Sequence, residues 1–476
     1  MATRSDPTED GPSDEGVGPR ARGVLIAACA ANGFVFLDQT ASPVTLDALR
    51  RDLGSTGSEA HFVIGIYLVV LAAMMPAAAR LADRFGRRPL FLFGAALFGT
   101  ASVACALAPS IEVLLALRAI QGVGAALSVP LSLAVVTSAL PSARRGWAVG
   151  ALAAGGSVFL LVGPVLGGLL VDHAHWRWVF VLPVPLVAAA LVMGRTWITD
   201  ARSPQPPQID LPGLVLLMLG LAALVQGLLE LGYRGLSSGP LALALAGLAA
   251  LAAFLLVEQR RDDPLIQLRL LRIPAAAGCL LTLFALQFAI LALTVEVVLY
   301  LQQSLDYGAL LAGALLLPTV LGSPLLSVLA GRVADRRGPT LPILTGLGLV
   351  TVSLIMVAVF AGRGQIPAMV AALLLFGLAR PFVLTPATAT AMRAVPAGEH
   401  HQISAMTTEA RQLGGVLGVA VAGFIVSTVN SAGTSSAGNV EGFQAAILAA
   451  AGLCALAWGI GAVLIRRPAE SLAADS

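Results

Sequence analysis

An aspartate stands inside an apolar run in Phe34-Val35-Phe36-Leu37-Asp38-Gln39-Thr40, and an arginine inside another in Leu117-Arg118-Ala119-Ile120-Gln121-Gly122-Val123-Gly124. Asp38 is the only charge between Gly23 and Asp47. A charged group within an apolar helix costs on the order of 2.5 to 3.5 kcal/mol by insertion scales, so it usually faces a partner or a wet cavity. The proton held by such a carboxylate depends on what else occupies the cavity, a guanidinium included. Four more charges interrupt apolar runs further along: Glu296, Arg380, Glu409 and Arg411. Arg380 is expected to pair with Glu409 or Glu296, because each would be costly alone. Glu409 and Arg411 are two apart, point to different faces of one helix and are not expected to pair with each other.

The elements that must hold these residues are membrane spans. The chain of 476 residues is 57% hydrophobic and 12% charged, with mean hydropathy +0.88, well outside the range of soluble domains. Spans need about 20 apolar residues each. Fourteen such runs are found, at 23–44, 60–79, 89–108, 111–138, 147–171, 178–197, 211–231, 239–257, 275–301, 308–331, 341–361, 367–392, 403–428 and 443–465. The first outruns the about 7 to 15 residues of a secretory signal and is read as a retained span. Asp38 lies about 15 residues into it, roughly 22 Å along a helix. Residues 1–22 are polar and read as a disordered cytoplasmic tail. The stretch 201–209, Ala-Arg-Ser-Pro-Gln-Pro-Pro-Gln-Ile, reads as a Pro-rich linker.

All 29 basic residues are arginine. Twenty-one of them, counting Arg195 at the end of the sixth run, fall on the side of the N-terminus and five on the other, which predicts both termini in the cytoplasm. A repeat is also visible. Arg80-Leu81-Ala82-Asp83-Arg84-Phe85-Gly86-Arg87-Arg88 follows the second run, and Arg332-Val333-Ala334-Asp335-Arg336-Arg337-Gly338 follows the tenth. Carboxylates and guanidinium groups at helix ends pair with each other and with helix dipoles, an arrangement able to latch two halves together. An offset of eight spans implies a six-helix bundle, two inserted helices, and a second six-helix bundle. The expected fold is therefore an all-α polytopic membrane protein of 14 transmembrane helices. Its parts are a tail (1–22), an N-terminal bundle (23–199), a linker and two additional helices (200–258), a loop and C-terminal bundle (259–466), and a tail (467–476). Repeats of this kind are typical of transporters with a site between the halves.

Several function classes are excluded. Without lysine there is no P-loop and no Schiff base to a cofactor. A net charge of +3 leaves no footprint for nucleic acid. Cys29, Cys105, Cys279 and Cys454 lie in apolar stretches without CxxC spacing and read as core residues. No HExxH, GxSxG or convergent His/Asp set is present, which argues against an enzyme. His173-Ala174-His175 has only Asp172 nearby, too few ligands for a metal.

The chain resembles the major facilitator superfamily, and within it the fourteen-span drug:proton antiporter branch, over nearly all of residues 23–466. The loop 80–88 is similar to the family's RLaDRfGRR signature, with Ala79 where glycine usually stands. Leu37-Asp38-Gln39-Thr40 resembles the first-span LDxT motif, although Pro43 and Asp47 depart from it. Arg118-Ala119-Ile120-Gln121-Gly122-Val123-Gly124 resembles RxxQGxG, and Arg411-Gln412-Leu413-Gly414-Gly415 an RQxGG stretch. Gly163-Pro164-Val165-Leu166-Gly167-Gly168 matches the GPxxGG antiporter motif, a packing and gating device, with Phe159 where a further glycine is common. Trp176-Arg177-Trp178 and Asp210-Leu211-Pro212-Gly213 also fit, with Pro183 departing. The two tryptophans read as interfacial anchors.

The resemblance implies a proton-coupled secondary exporter of apolar or cationic small molecules such as drugs, working by alternating access. Proton coupling and the cavity would rest on Asp38, Thr40, Arg118 and Gln121, with Glu296, Arg380, Glu409 and Arg411. The latch would comprise Asp83, Arg84, Gly86, Arg87 and Arg88 with Asp335 and Arg336. It also implies no cofactor beyond the proton gradient. The partners are a small-molecule substrate, protons and the bilayer; the expected form is a monomer in the inner membrane. Export of one dedicated metabolite, an antibiotic, lipid or siderophore, is the alternative, and a non-transporting receptor or scaffold a more distant one.

Overall fold

The computed structural model describes residues 18–140, 145–200, 210–261, 264–432 and 437–465. The Pro-rich linker, nearly all of the N-terminal tail and the C-terminal tail lie outside these residues. Fourteen helices are long and apolar enough to cross a membrane, and no strand occurs among the described residues. They are α1 (Pro19–Leu53), α2 (Gly57–Phe85), α3 (Arg87–Ala106), α4 (Ile111–Ala139), α5 (Gly150–His173), α6 (Arg177–Trp197) and α7 (Leu211–Arg234). The rest are α8 (Ser238–Glu258), α9 (Pro274–Ser304), α10 (Ala309–Arg337), α11 (Thr340–Gly362), α12 (Ile366–Arg393), α13 (Gln402–Asn430) and α14 (Val440–Leu464). The protein is a multi-pass membrane protein. We call the end holding Pro19 and Leu464 the near end, and the opposite one the far end.

Sequence chemistry explains where the helices start, stop and break. α1 runs nine residues beyond its apolar run, past Asp47, Arg50 and Arg51, because Asp47 and Arg51 are one turn apart and pair. It ends on Gly54, whose φ of +63° suits glycine. α2 then opens with a capping box: the Thr56 hydroxyl accepts from the Glu59 backbone N–H, and the Glu59 carboxylate accepts from the Thr56 N–H at 2.8 Å. Asp210 caps α7 by accepting from the Gly213 N–H at 3.0 Å. Three spans break beside prolines that cannot donate into the helix: α6 at Pro183, α10 before Pro318 and α12 at Arg380, before Pro381.

The packing repeats. α1 lies on α5, α2 on α4, and α3 on α4 and α6; eight helices later α9 lies on α13, α10 on α12, and α11 on α12 and α14. These are the two six-helix bundles of the expected fold. Of the inserted pair, α7 packs against α2 and α13 and so against both bundles, whereas α8 leans chiefly on α7. Direct contact between the bundles runs through α2 with α13, α5 with α10, and α1 with α9. Large apolar side chains such as Leu219, Leu256 and Val463 point outward, as lipid-facing positions do.

Candidate functional site

α1 and α4 bring their two charges together. Arg118 Nη1 donates to both Asp38 carboxylate oxygens, at 2.9 and 2.8 Å, and to Gln121 Oε1 at 2.7 Å. Its Nε–H donates to the Val63 carbonyl at 3.2 Å, and the guanidinium lies 4.3 Å from the Tyr67 ring centroid and 5.5 Å from that of Phe180. Gln121 Nε2 donates to Asp38 Oδ1 at 3.3 Å and to Ser102 Oγ at 3.1 Å, and Ser102 donates onward to the Phe180 carbonyl at 2.6 Å. Asp38 is 2% exposed and Arg118 1%. This is a buried ion pair braced by further hydrogen bonds from Arg118 Nε and Nη1 and from Gln121, the kind of support such a pair needs.

The glycines of the α4 motif make that approach possible. A side chain at Gly122 would strike the Tyr67 carbonyl of α2, and one at Gly124 the Phe98 backbone of α3. The second bundle repeats the device: side chains at Gly414 and Gly418 of α13 would strike the carbonyls of Phe284 and Phe288 on α9. In α5, Gly163 faces Thr40 and Leu37 of α1, and Gly167 faces Ala41. Gly168 faces the Ala309 and Leu310 backbone of α10, and Gly313 of α10 faces the Pro164 carbonyl. The Gly163-Pro164-Gly167-Gly168 motif thus presses one side of α5 on the helix carrying Asp38 and the other on the second bundle. Phe159 fits because Gly33 of α1 lies under its ring.

Between the bundles, Gln39, Tyr67 and Arg118 of the first face Leu291, Thr294 and Val295 of α9 across a space of about 10 Å³, room for roughly one water. Thr40 turns away from it. Its hydroxyl donates to the Phe36 carbonyl at 2.8 Å, a bond within its own helix.

The expected pairing of Arg380 with Glu409 or Glu296 is not found: no ion pair joins Arg380 to either carboxylate among the described residues. Glu296 does not meet Arg380; its Oε1 lies 3.6 Å from His61 Nε2 on α2. Arg380 sits at the break in α12, 7% exposed, and Glu409 is 5% exposed on α13. Glu409 Oε1 and Arg411 Nε take no hydrogen bond among the described residues. His61, Tyr233, Tyr67 and Ser102 were not singled out by the sequence; an imidazole four residues after a helix start, inside an apolar run, was the available signal for the first.

At the near end the ion pairs of the repeated loops lie inside their own bundles, while Arg80 donates to the Pro264 carbonyl in the segment leading to the second bundle. Asp83 lies 3.8 Å from Arg87, Arg88 donates to the Arg195 carbonyl at 2.6 Å, and Arg84 stacks over Phe85. Gly86 takes φ +102° in the turn between them. Asp335 pairs with Arg393 of α12 at 2.9 Å, and Arg336 is exposed. At the far end, Trp176 is not an interfacial anchor: it is 2% exposed and donates its indole N–H to Asp52 at 3.0 Å, while Trp178 is exposed. His175 lies 4.0 Å from the same carboxylate, and no group of three or more candidate metal ligands occurs among the described residues.

Two pseudo-equivalent bundles of membrane helices, with charges buried where they meet, define a membrane transporter. The Major Facilitator Superfamily profile matches residues 28–419, and the chain belongs to that superfamily. It is 31% identical to the puromycin resistance protein pur8 of Streptomyces alboniger over 96% of this chain and 94% of that protein. It is 32% identical to the multidrug resistance protein Stp of Mycobacterium tuberculosis over 86% of this chain and 76% of that one. The tetracenomycin C resistance and export protein of Streptomyces glaucescens is 30% identical over 85% and 76%. Among solved structures, a bacterial homolog of the human lysosomal transporter Spinster superposes with a TM-score of 0.69 at 15% identity, covering 96% of this chain and 99% of that one.

Proposed function

We propose that the protein exports apolar or cationic small molecules, drugs among them, in exchange for protons. Likeness to the puromycin and multidrug resistance proteins supports the cargo class. The observation that carries the coupling is the Asp38–Arg118–Gln121 network, buried in one bundle with Arg118 on the wall facing the other. When Asp38 takes a proton, its ion pair is lost and Arg118 and Gln121 are free to rearrange. When the bundles part and a substrate enters beside this network, the proton leaves. Proton and substrate therefore compete for one network, which is the physical content of antiport. Arginine placement supports a cytoplasmic near end in the inner membrane. The loops holding Asp83 and Asp335 then latch the cytoplasmic ends in the alternate conformation. Glu409 and Arg411 supply further polar groups to the cavity. Export of a single metabolite is the second reading, favoured by the likeness to the tetracenomycin C export protein.

The test is uptake into inverted vesicles with a substrate panel. We expect accumulation that stops when the proton gradient is collapsed, and an Asp38→Asn variant that inserts but loses gradient-driven accumulation. Gradient-independent flux, or full accumulation in that variant, overturns the coupling. A panel that yields one substrate selects the second reading.

A further inference from the structure

His61 and Glu296 meet at the far end, away from Asp38. His61 comes from α2 in the first bundle and Glu296 from α9 in the second; both are nine-tenths buried. His61 Nδ1 lies 3.0 Å from the Gly57 carbonyl, which only accepts hydrogen bonds, so Nδ1 carries a hydrogen. In a neutral ring Nε2 then presents a lone pair to Glu296 Oε1 at 3.6 Å. Neither atom has another hydrogen-bond partner among the described residues. Two facing lone pairs in a dry place are strongly unfavourable. A single proton removes the conflict, whether it resides on Nε2 or on the carboxyl, and belongs to the pair.

We infer that His61 and Glu296 form a second proton-binding site, whose bound proton holds the far ends of the two bundles together. The step is uptake of one proton by the pair and its return to solvent when the far end opens. The inference rests on the proton-coupled reading, and assigns the proton a place where it favours the conformation closed at that end.

The surroundings single this pair out. From α7, Tyr233 Oη lies 3.3 Å from His61 Nδ1. From α13, Gly423 faces the imidazole and brings no charge. From α1, Arg50 is the other charge that reaches the ring. The site therefore sits where both bundles and the inserted pair converge, and parting the bundles at the far end parts His61 from Glu296.

Spin labels at Ala174→Cys and Gln303→Cys, both exposed at the far end on opposite bundles, report its opening by electron–electron distance measurement on the full chain in nanodiscs. Between about pH 5.5 and 8.5, a histidine range, we expect the close population to fall as pH rises, by at most about tenfold per pH unit, the limit for one linked proton. In Glu296→Gln the amide donates to Nε2 without a proton, so the close population should persist at every pH. His61→Gln, donating to the carboxylate, should behave alike. No pH response in the parent, or one unchanged in Glu296→Gln, overturns the site. Failure of gradient-driven uptake would sink the coupled reading and leave this distance switch standing, so the two failures are distinguishable.

Discussion

Removing either partner of the Asp38–Arg118 pair should cost more than removing both. In Asp38→Asn the guanidinium stays 1% exposed with the Gln121 and Val63 oxygens and the Tyr67 ring but no counter-charge. Leaving one buried charge uncompensated costs about 3 to 5 kcal/mol. In Arg118→Gln the carboxylate keeps donors from Gln121 at 3.3 Å and Ser42 at 3.5 Å, both longer than the bonds lost, so a similar cost applies. The Asp38→Asn/Arg118→Gln pair is neutral and lined by groups that both donate and accept, so its cost falls to that of imperfect amide bonds, about 1 to 3 kcal/mol. The double variant should thus be less destabilised than either single, with a coupling of at least about 3 kcal/mol. The assay is a double-mutant cycle in purified protein, unfolded by dodecyl sulfate in mixed micelles and followed by tryptophan fluorescence. Additivity within about 0.5 kcal/mol would mean that the pair is not charged or not isolated from water, and would refute the reasoning.

Gly168→Val drives a branched side chain into the Ala309–Leu310 backbone; overpacking by about 1 to 3 kcal/mol should hold α5 off α10 and lower export while the protein stays folded, which efflux and size-exclusion profiles would show. Asp172→Ala removes the carboxylate that accepts from the Ala309 and Leu310 N–H groups of α10 at 2.9 and 2.8 Å. Each such bond is worth about 1.5 to 3 kcal/mol, so amide exchange in the first turn of α10 should quicken, and unchanged exchange would count against an inter-bundle bond. Gly33→Ala should be poorly tolerated because Phe159 lies on that glycine, and Phe159→Ala should rescue it in thermal unfolding. Asp335→Asn breaks a pair whose members are 63% and 62% exposed, so unfolding should move by less than about 1 kcal/mol; a fall in export at unchanged stability would place the role of Asp335 in the other conformation.

Much of the fold was legible because membrane spans announce themselves by length and apolarity, and the eight-span offset of the Asp83 and Asp335 loops gave the bundle arrangement. Legibility failed where side chains answer to tertiary neighbours. Asp47 and Arg51 mark the end of an apolar run by composition, yet one-turn spacing lets them pair and keep α1 helical. Trp176 has the chemistry of an interfacial anchor, but Asp52 on a separate helix takes its indole and draws it inside. The Asp38–Arg118 union was readable as two expensive charges in one bundle. The partner of Glu296 was not, because nothing in chain order relates α2 to α9, and the arginine that seemed to need a carboxylate lies elsewhere.

The repeat also separates what must be kept from what may diverge. Both bundles seat an arginine-bearing helix by the same device, glycines on α4 against α2 and α3, and glycines on α13 against α9. Their charges then differ: Arg118 is closed on Asp38 within its own bundle, whereas Glu409 and Arg411 retain polar atoms without hydrogen bonds among the described residues. Buried polar atoms left open in a packed protein cost free energy that nothing in the closed state returns. They are tolerable where another state or a ligand engages them. The first bundle therefore closes its arginine in an ion pair in this conformation, while the second leaves polar atoms of Glu409 and Arg411 open among the described residues.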